Sequence, residues 1–412
     1  MKLSELLQDR GYLYGNTQKN GPHMLDTKKA REQNGRDSFS RYRAQVRSAA
    51  VASLSILEGA NVDRVYCDLH DDFVIRKKDK NGFSYIFYQV KTKGKQNHNW
   101  TINEVLGLNT RLKDHSKQSS ASIKDSFIGK LLLHTVVFDE HCNSVIFQTN
   151  VNNSDEVDDL LADIESGAFS NQFSKIILER FTECFGDECL TYSPEEAKSK
   201  LSKLSFESDV SFLKEGDNYF ELIVKEKIYQ FSEIELERAE FREILLRLLD
   251  LVERKSSGVI KTWDAESIEN CAGISIDDLL TILSISKDAY YSLLKSGDSS
   301  AIKSASMIQR ALKAGGADTS MVMYCSKSKT DWDLWFRNAR HVVQELDLLS
   351  ISEHVSTTLE NTIDSKGFLA LKKLRVPIKT LLMKLEEEGL RFDLTEDLLL
   401  GGIFSAFVRG KS

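Results

Sequence analysis

Two apolar runs around a polar turn constrain this chain more than anything else in it. One begins Asp71-Asp72-Phe73-Val74-Ile75. The other runs Tyr85-Ile86-Phe87-Tyr88-Gln89-Val90-Lys91-Thr92-Lys93, and Lys77 to Gly82 lies between them. The runs predict two strands of a hairpin, with Asn81-Gly82 tolerating the positive φ of the turn. Side chains alternate across a strand, so Gln89 and Lys91 share a face and Val90 points the other way. Carboxylates open one strand, and an amide and an amine close its neighbour. They meet at one end of the hairpin. Such a set can hold a divalent cation and a water, which is most of what phosphodiester hydrolysis requires.

The ligands would be hard oxygens, as Mg²⁺ or Mn²⁺ demands. Asp72 supplies a carboxylate, with Asp71 beside it as the alternative. The main-chain carbonyl of Val90 and the side-chain oxygen of Gln89 supply two more oxygens. Lys91 would orient the attacking water and offset developing negative charge. Lys93 is next on the same face and could hold a neighbouring phosphate. The spacing alone equally supports an edge hairpin that carries polar residues to stay soluble.

Charge adds to the first of these. Between Arg76 and Lys130 there are twelve Lys/Arg against four acids, in a chain whose net charge is −7. Lys77, Lys78 and Lys95 lie in this block and are candidate phosphate contacts. A solvated lysine-rich surface would give the same count. An acidic stretch follows, from Asp155 to Glu165.

At 412 residues the chain exceeds one ordinary core, and only three prolines favour long helices. Residues 1–36 read as a polar arm. Residues 37–230 read as an α/β layer domain. It would hold a helix capped by Asp37 or Ser38, its apolar face running from Phe39 through Tyr42, Val46, Ala49, Ala50 and Leu54 to Leu57. Gln45 lies close to that face. Strands are expected at 62–67, in the hairpin, and at 131–138, 145–149 and 219–224, with helices at 102–116 and, broken near Gly167, at 155–184. Residues 231–412 read as an all-α region, with capping boxes at Ser232/Glu235 and Ser275/Asp278 and with Trp332, Trp335 and Phe336 as anchors. Six scattered cysteines, including Cys184 and Cys189, show no zinc spacing. The eight histidines show none either. With no apolar leader or spanning run, a soluble cytoplasmic protein without membrane contact is expected.

The helix bearing Gln45, then Asp68 and Asp71-Asp72, then Phe87 through Lys93 resemble the PD-(D/E)xK nuclease superfamily in its Gln-x-Lys form. Trp100-Thr101 and Phe147-Gln148-Thr149-Asn150 add to the likeness. More narrowly, residues 36 to about 150 resemble the double-strand DNA endonuclease domain of bacterial antiphage effectors. That resemblance implies a restriction-endonuclease-like fold, with Asp72, Gln89 and Lys91 on catalytic positions and Gln45 assisting. It implies cleavage of double-stranded DNA in antiphage defence. Members of that family are nuclease halves of cyclic-oligonucleotide effectors or partners of HerA-type ring ATPases. The C-terminal part reads as too uniformly helical for a Rossmann-like cyclic-nucleotide sensor. By analogy with the family, the branch that forms oligomers and partners a HerA-type ring ATPase is therefore expected. The chain has no P-loop of its own. A non-catalytic DNA-binding or scaffold subunit, and an RNA nuclease, are the alternatives.

Overall fold

A computed structural model describes residues 34–410, except 60, 81, 96, 110, 113–116, 187–190, 215–217, 233–235, 296, 299, 314–315, 364–368 and 370. The expected arm therefore lies outside the described residues, apart from its last three positions. Those already belong to helix α1 (Asn34–Ser53), so Asp37 and Ser38 do not cap it. Of its expected apolar face, Val46, Ala49, Ala50 and Leu54 are buried and Phe39 is exposed. A 3-10 turn, Leu54–Glu58, ends at Gly59, whose φ of 67° is the left-handed cap that glycine adopts without strain.

The hairpin forms as expected. Strands β1 (Val62–Leu69), β2 (Asp71–Asp79) and β3 (Gly82–Lys91) are antiparallel neighbours, with Phe73 opposite Tyr88 and Ile75 opposite Ile86. Helix α2 (Ile102–Leu106) is a single capped turn, shorter than the expected 102–116. Helix α3 (Ser120–Lys124) follows.

Residues 131–138, expected as a strand, belong to helix α4 (Phe127–Val137). The reason is the step between buried residues. Ile128, Leu131, Leu132 and Thr135 recur at the spacing of one helix face, and the Ser126 hydroxyl accepts from the Gly129 amide at the N-terminus. The β-branched end of the run imitated a strand.

Strand β4 (Cys142–Thr149) runs parallel to β3. Helices α5 (Asp155–Glu165), α6 (Gln172–Glu179) and α7 (Phe181–Phe185) realise the broken helix, and Gly167 sits between α5 and α6 with φ of 69°. Pro194 opens α8 (Pro194–Leu201) behind a Ser193 capping box. Strand β5 (Leu204–Glu207), unforeseen, adds parallel to β4.

Residues 219–224 are also helical, not extended. They start α9 (Tyr219–Ser232), whose buried Phe220, Val224, Ile228 and Ser232 are four residues apart. Of the expected Ser232/Glu235 capping box, Ser232 ends α9 and donates to the Ile228 carbonyl, and Glu235 lies outside the described residues. Helix α10 (Arg238–Ser257) and helix α11 (Ala265–Ala272) lead to a two-residue strand, β6 (Gly273–Ile274), which pairs with β1. The sheet order is β5-β4-β3-β2-β1-β6, so the sheet takes its last strand from beyond position 230.

Ser275 and Asp278 do form a capping box, on α12 (Ile276–Ile282). Then come α13 (Lys287–Lys295), α14 (Ala301–Lys313), α15 (Thr319–Ala339), α16 (Glu345–Glu360), α17 (Leu371–Glu387) and α18 (Glu396–Arg409). Trp332 is fully enclosed on α15, where Gly402 of α18 lies so close that a Cβ there would stand 3.0 Å from the indole. None of the described helices is long and apolar enough to cross a membrane.

Helices cover the mixed sheet on both faces. Phe147 packs in the core with Trp100 and Phe127, while Gln148, its neighbour along β4, reaches Ser48 of α1. Adjacent strand residues point oppositely, so α1 lies on the face away from that core. Phe87 stacks on His134 of α4 with ring centroids 4.4 Å apart, on the core side.

Candidate functional site

The chain reverses sharply just before the two aspartates. Leu69 pairs with Asp71, leaving His70 alone at the turn, and both Asp68 (φ 50°) and His70 (φ 64°) adopt left-handed backbone. Non-glycine residues held in that region carry strain and cluster at functional sites. The turn sends the two carboxylates in different directions.

Asp72 becomes the hub. Its Oδ1 accepts from Gln45 Nε2 of α1 at 2.5 Å. Its Oδ2 accepts from the Val90 amide at 2.6 Å and from Lys91 Nζ at 3.0 Å. Helix α1, the start of β2 and the end of β3 thus converge on one carboxylate. Burial pushes the Asp72 carboxyl above its ordinary range, and the neighbouring Lys91 and Val90 amide only partly offset this. Asp71 turns away. Its Oδ1 accepts from the Asp72 amide at 2.9 Å and its Oδ2 meets His134 Nε2 at 3.1 Å.

Gln89 lies one step along the ladder from the Phe73–Tyr88 pair, opposite Asp72. It is 7% exposed, and its buried Oε1 has no hydrogen-bond partner among the described residues. A buried amide oxygen left without a donor costs free energy unless something supplies positive charge. Among the described residues no three His, Cys, Asp or Glu side chains meet as a metal cluster. The donor set at this end of the sheet is instead one carboxylate with neutral oxygens. All are hard ligands of the kind Mg²⁺ and Mn²⁺ take, and the orphaned Gln89 oxygen fits a cation.

The basic residues divide. Lys93 is held within the chain: its Nζ donates to both Glu104 oxygens at 2.8 Å and to the Asn99 carbonyl, and it lies 4.2 Å from the Trp100 ring centre. The Lys93 backbone is clamped in turn by Asn150, whose Oδ1 accepts from its amide and whose Nδ2 donates to its carbonyl. Trp100 donates to Thr149 Oγ1 at 2.7 Å. The Trp100 and Thr149-Asn150 motifs therefore pin the chain that leaves Lys91. Lys95 is exposed just beyond. Lys77 and Lys78 sit at the opposite end of β2, five and six residues from Asp72, or roughly 17–20 Å along an extended strand.

Sequence reasoning missed two groups. His134 was legible only once α4 was a helix. The second is a chain of contacts beneath α1: Ser48 donates to Gln148 Oε1, Gln148 donates to Glu207 at 2.6 Å, and Tyr88 donates to the other Glu207 oxygen at 3.2 Å. Burial and Glu207 together raise the Tyr88 phenol pKa, so it stays a donor. Glu207 lies on the unforeseen β5, and no periodicity in four residues could have exposed it.

Comparison with known proteins follows this geometry. No curated protein matches the chain. Among solved structures it is similar to the Acinetobacter baumannii Cap4 SAVED/CARF-domain containing receptor, at 12% identity over 70% of this chain and 59% of that one, with a TM-score of 0.35. The same receptor with the cyclic trinucleotide 3'3'3'-cAAA gives 12% over 69% and 64%, with 0.35. The Moraxella osloensis Cap4 SAVED/CARF-domain containing receptor gives 12% over 70% and 66%, with 0.33. The chain spans about three fifths of the length of these structures. At the level of families, the match is to the Cap4 dsDNA endonuclease domain over residues 33–256, more than half of the 412. The segment so matched contains Gln45, Asp72, Gln89 and Lys91, and the chain belongs to the Cap4 dsDNA endonuclease domain family.

Proposed function

We propose that this protein is a metal-dependent endonuclease of double-stranded DNA, acting in antiphage defence through a PD-(D/E)xK-type site in its Gln-x-Lys form on a restriction-endonuclease-like sheet. The observation that carries the reading is the meeting of Gln45, Val90 and Lys91 on the Asp72 carboxylate. Asp72, Gln89 Oε1 and the Val90 carbonyl would hold Mg²⁺ or Mn²⁺. Such an ion, when bound, supplies Lewis acidity towards the scissile phosphate and acidifies a water.

The chain's own residues do the rest. Gln45 and the Val90 amide fix the orientation of Asp72, so its carboxylate needs no reorganisation when substrate arrives. Lys91 lies against Asp72 and keeps two of its ammonium protons free for a phosphate oxygen or a water. Asp71 and His134 brace the turn from the other side. Lys95 extends positive charge beyond the site. Lys93, though paired with Glu104, adds a cation beside the same strand, and Lys77 and Lys78 would meet the backbone further along a duplex.

The proposal extends to assembly. Val342, Leu346, Leu349, Val376 and Met383 are large apolar side chains left exposed between 59% and 85% around α16 and α17. A contiguous apolar surface built from these side chains would mark a docking face. They suit contacts with further copies of the chain and with a HerA-type ring ATPase, which would supply the ATP-driven movement this chain lacks a P-loop for.

The test is plasmid cleavage with Mg²⁺ or Mn²⁺, with particle size measured alongside. Lys91→Ala and Asp72→Ala should each reduce the rate about a hundredfold or more. Cleavage equal to the wild type in both variants would remove the site. Chelation should abolish cleavage by the wild type.

A further inference from the structure

On the face of the sheet opposite α1, a cavity of about 220 Å³ opens between the hairpin and α11. Its back wall is the buried Tyr66, Val74 and Phe87. Tyr85 and Phe138 complete an aromatic lining, their rings 5.9 Å apart, with Phe138 4.7 Å from Phe87. At the mouth His70 stands edge-on to Phe138 at 5.1 Å and to the exposed Trp263 at 6.1 Å. Ala265, Ile268 and Glu269 of α11 form the other lip.

One end is polar in a particular way. Arg76 donates through Nε and Nη2 to Asp63 and through Nη1 to Glu269, and its guanidinium lies 5.6 Å from the Tyr66 ring centre. Each terminal nitrogen keeps one further N–H, and Glu269, which accepts from Arg76 through Oε1 and from Arg64 through Oε2, keeps a further lone pair on each oxygen. An apolar slot with a donor and an acceptor side by side at its end matches a planar heterocycle that carries an acceptor beside a donor on one edge. We infer that this cavity binds a nucleobase, packed against Tyr85 and Phe138 with its polar edge on Arg76 and Glu269.

The cavity also touches the site described above. Phe87 stacks on His134, and His134 holds Asp71 at 3.1 Å, next to Asp72. A base seated there would lie behind the turn that aims the carboxylates. The base could come from an unpaired position in a nucleic acid or from a free nucleotide. The stacking chemistry is the same for both.

The inference rests on the cavity and not on cleavage, so its test runs without metal. The full chain is titrated calorimetrically with dAMP, dGMP, dCMP and dTMP separately, and with inorganic phosphate as control. All four nucleotides should bind, because each base carries a donor beside an acceptor on one edge, and phosphate should not bind. Ala265→Trp, at an exposed helix position, should close the mouth and weaken binding about tenfold or more. Glu269→Gln should weaken binding of all four, because an amide oxygen accepts less strongly than a carboxylate. The titration reads binding by the metal-free wild type and no cleavage, which separates this result from failure of the nuclease reading. Competition assigns the source. Displacement of dAMP by a duplex with one unpaired adenine, but not by a fully paired one, identifies nucleic acid. Retention of dAMP against both identifies a free nucleotide. No binding by any nucleotide, binding matched by phosphate, or binding unchanged in Ala265→Trp overturns the inference.

Discussion

Asp72 is a carboxylate that folding would rather protonate. Burial lifts its pKa, and the donors around it do not restore the ordinary value. A group whose folded pKa lies above its unfolded one stabilises the fold below the unfolded value, near ~3.9 for an aspartate, and that contribution is lost as pH rises through the folded pKa. At neutral pH the ionised group is therefore a burden on stability. Asp72→Asn should cleave nothing yet melt at or above the wild-type temperature at pH 7, because Gln45 can turn its amide to meet the new one. The advantage should shrink as the pH is lowered. Melting temperatures of both proteins across that range check it. A variant less stable at pH 7 than at acid pH, relative to wild type, would contradict the sign. The same residue shows why the sequence went only so far. Alternation and the Asn81-Gly82 turn placed Asp72 against Gln89 and Lys91, but nothing in the order of residues says that Asp71 turns to His134. That depends on left-handed backbone at His70, a tertiary outcome.

At the scale of elements, legibility followed length and period. The hairpin, β4, the helix broken at Gly167 and the Pro194 start were readable because each repeats its pattern or carries a cap. Residues 131–138 and 219–224 were misread because short apolar runs fit either period, and length or a cap such as Ser126 must arbitrate. Strands β5 and β6 have four and two residues, too few to show alternation. Helices α15 and α18 pack closely. A Cβ at Gly401 would collide with the Ser328 carbonyl across the interface, and the neighbouring Gly402 faces Trp332. Both partners are backbone or a fully enclosed ring, so neither can yield. Gly401→Ala should cost about 2 kcal/mol or more, seen as a lower urea midpoint, with the hairpin's secondary structure retained at low denaturant.

For the whole molecule, the family match and the sheet end at different places. The match stops at 256, whereas the strand pairing with β1 is Gly273–Ile274. Arg64 and Arg76 of the hairpin also reach across to Glu269 of α11. A fragment cut at 256 should expose the outer edge of β1 and associate, because unpaired strand edges template further pairing. One extended through Ile285 should run at its own mass. Size-exclusion chromatography of the two distinguishes these outcomes.

Those two residues of borrowed strand have a practical consequence for anyone engineering this protein. Transplanting its cutting module onto another scaffold would need a substitute for Gly273 and Ile274, either a grafted hairpin or a charged border. Linkers designed to begin at the family boundary would leave the recipient with a sticky seam.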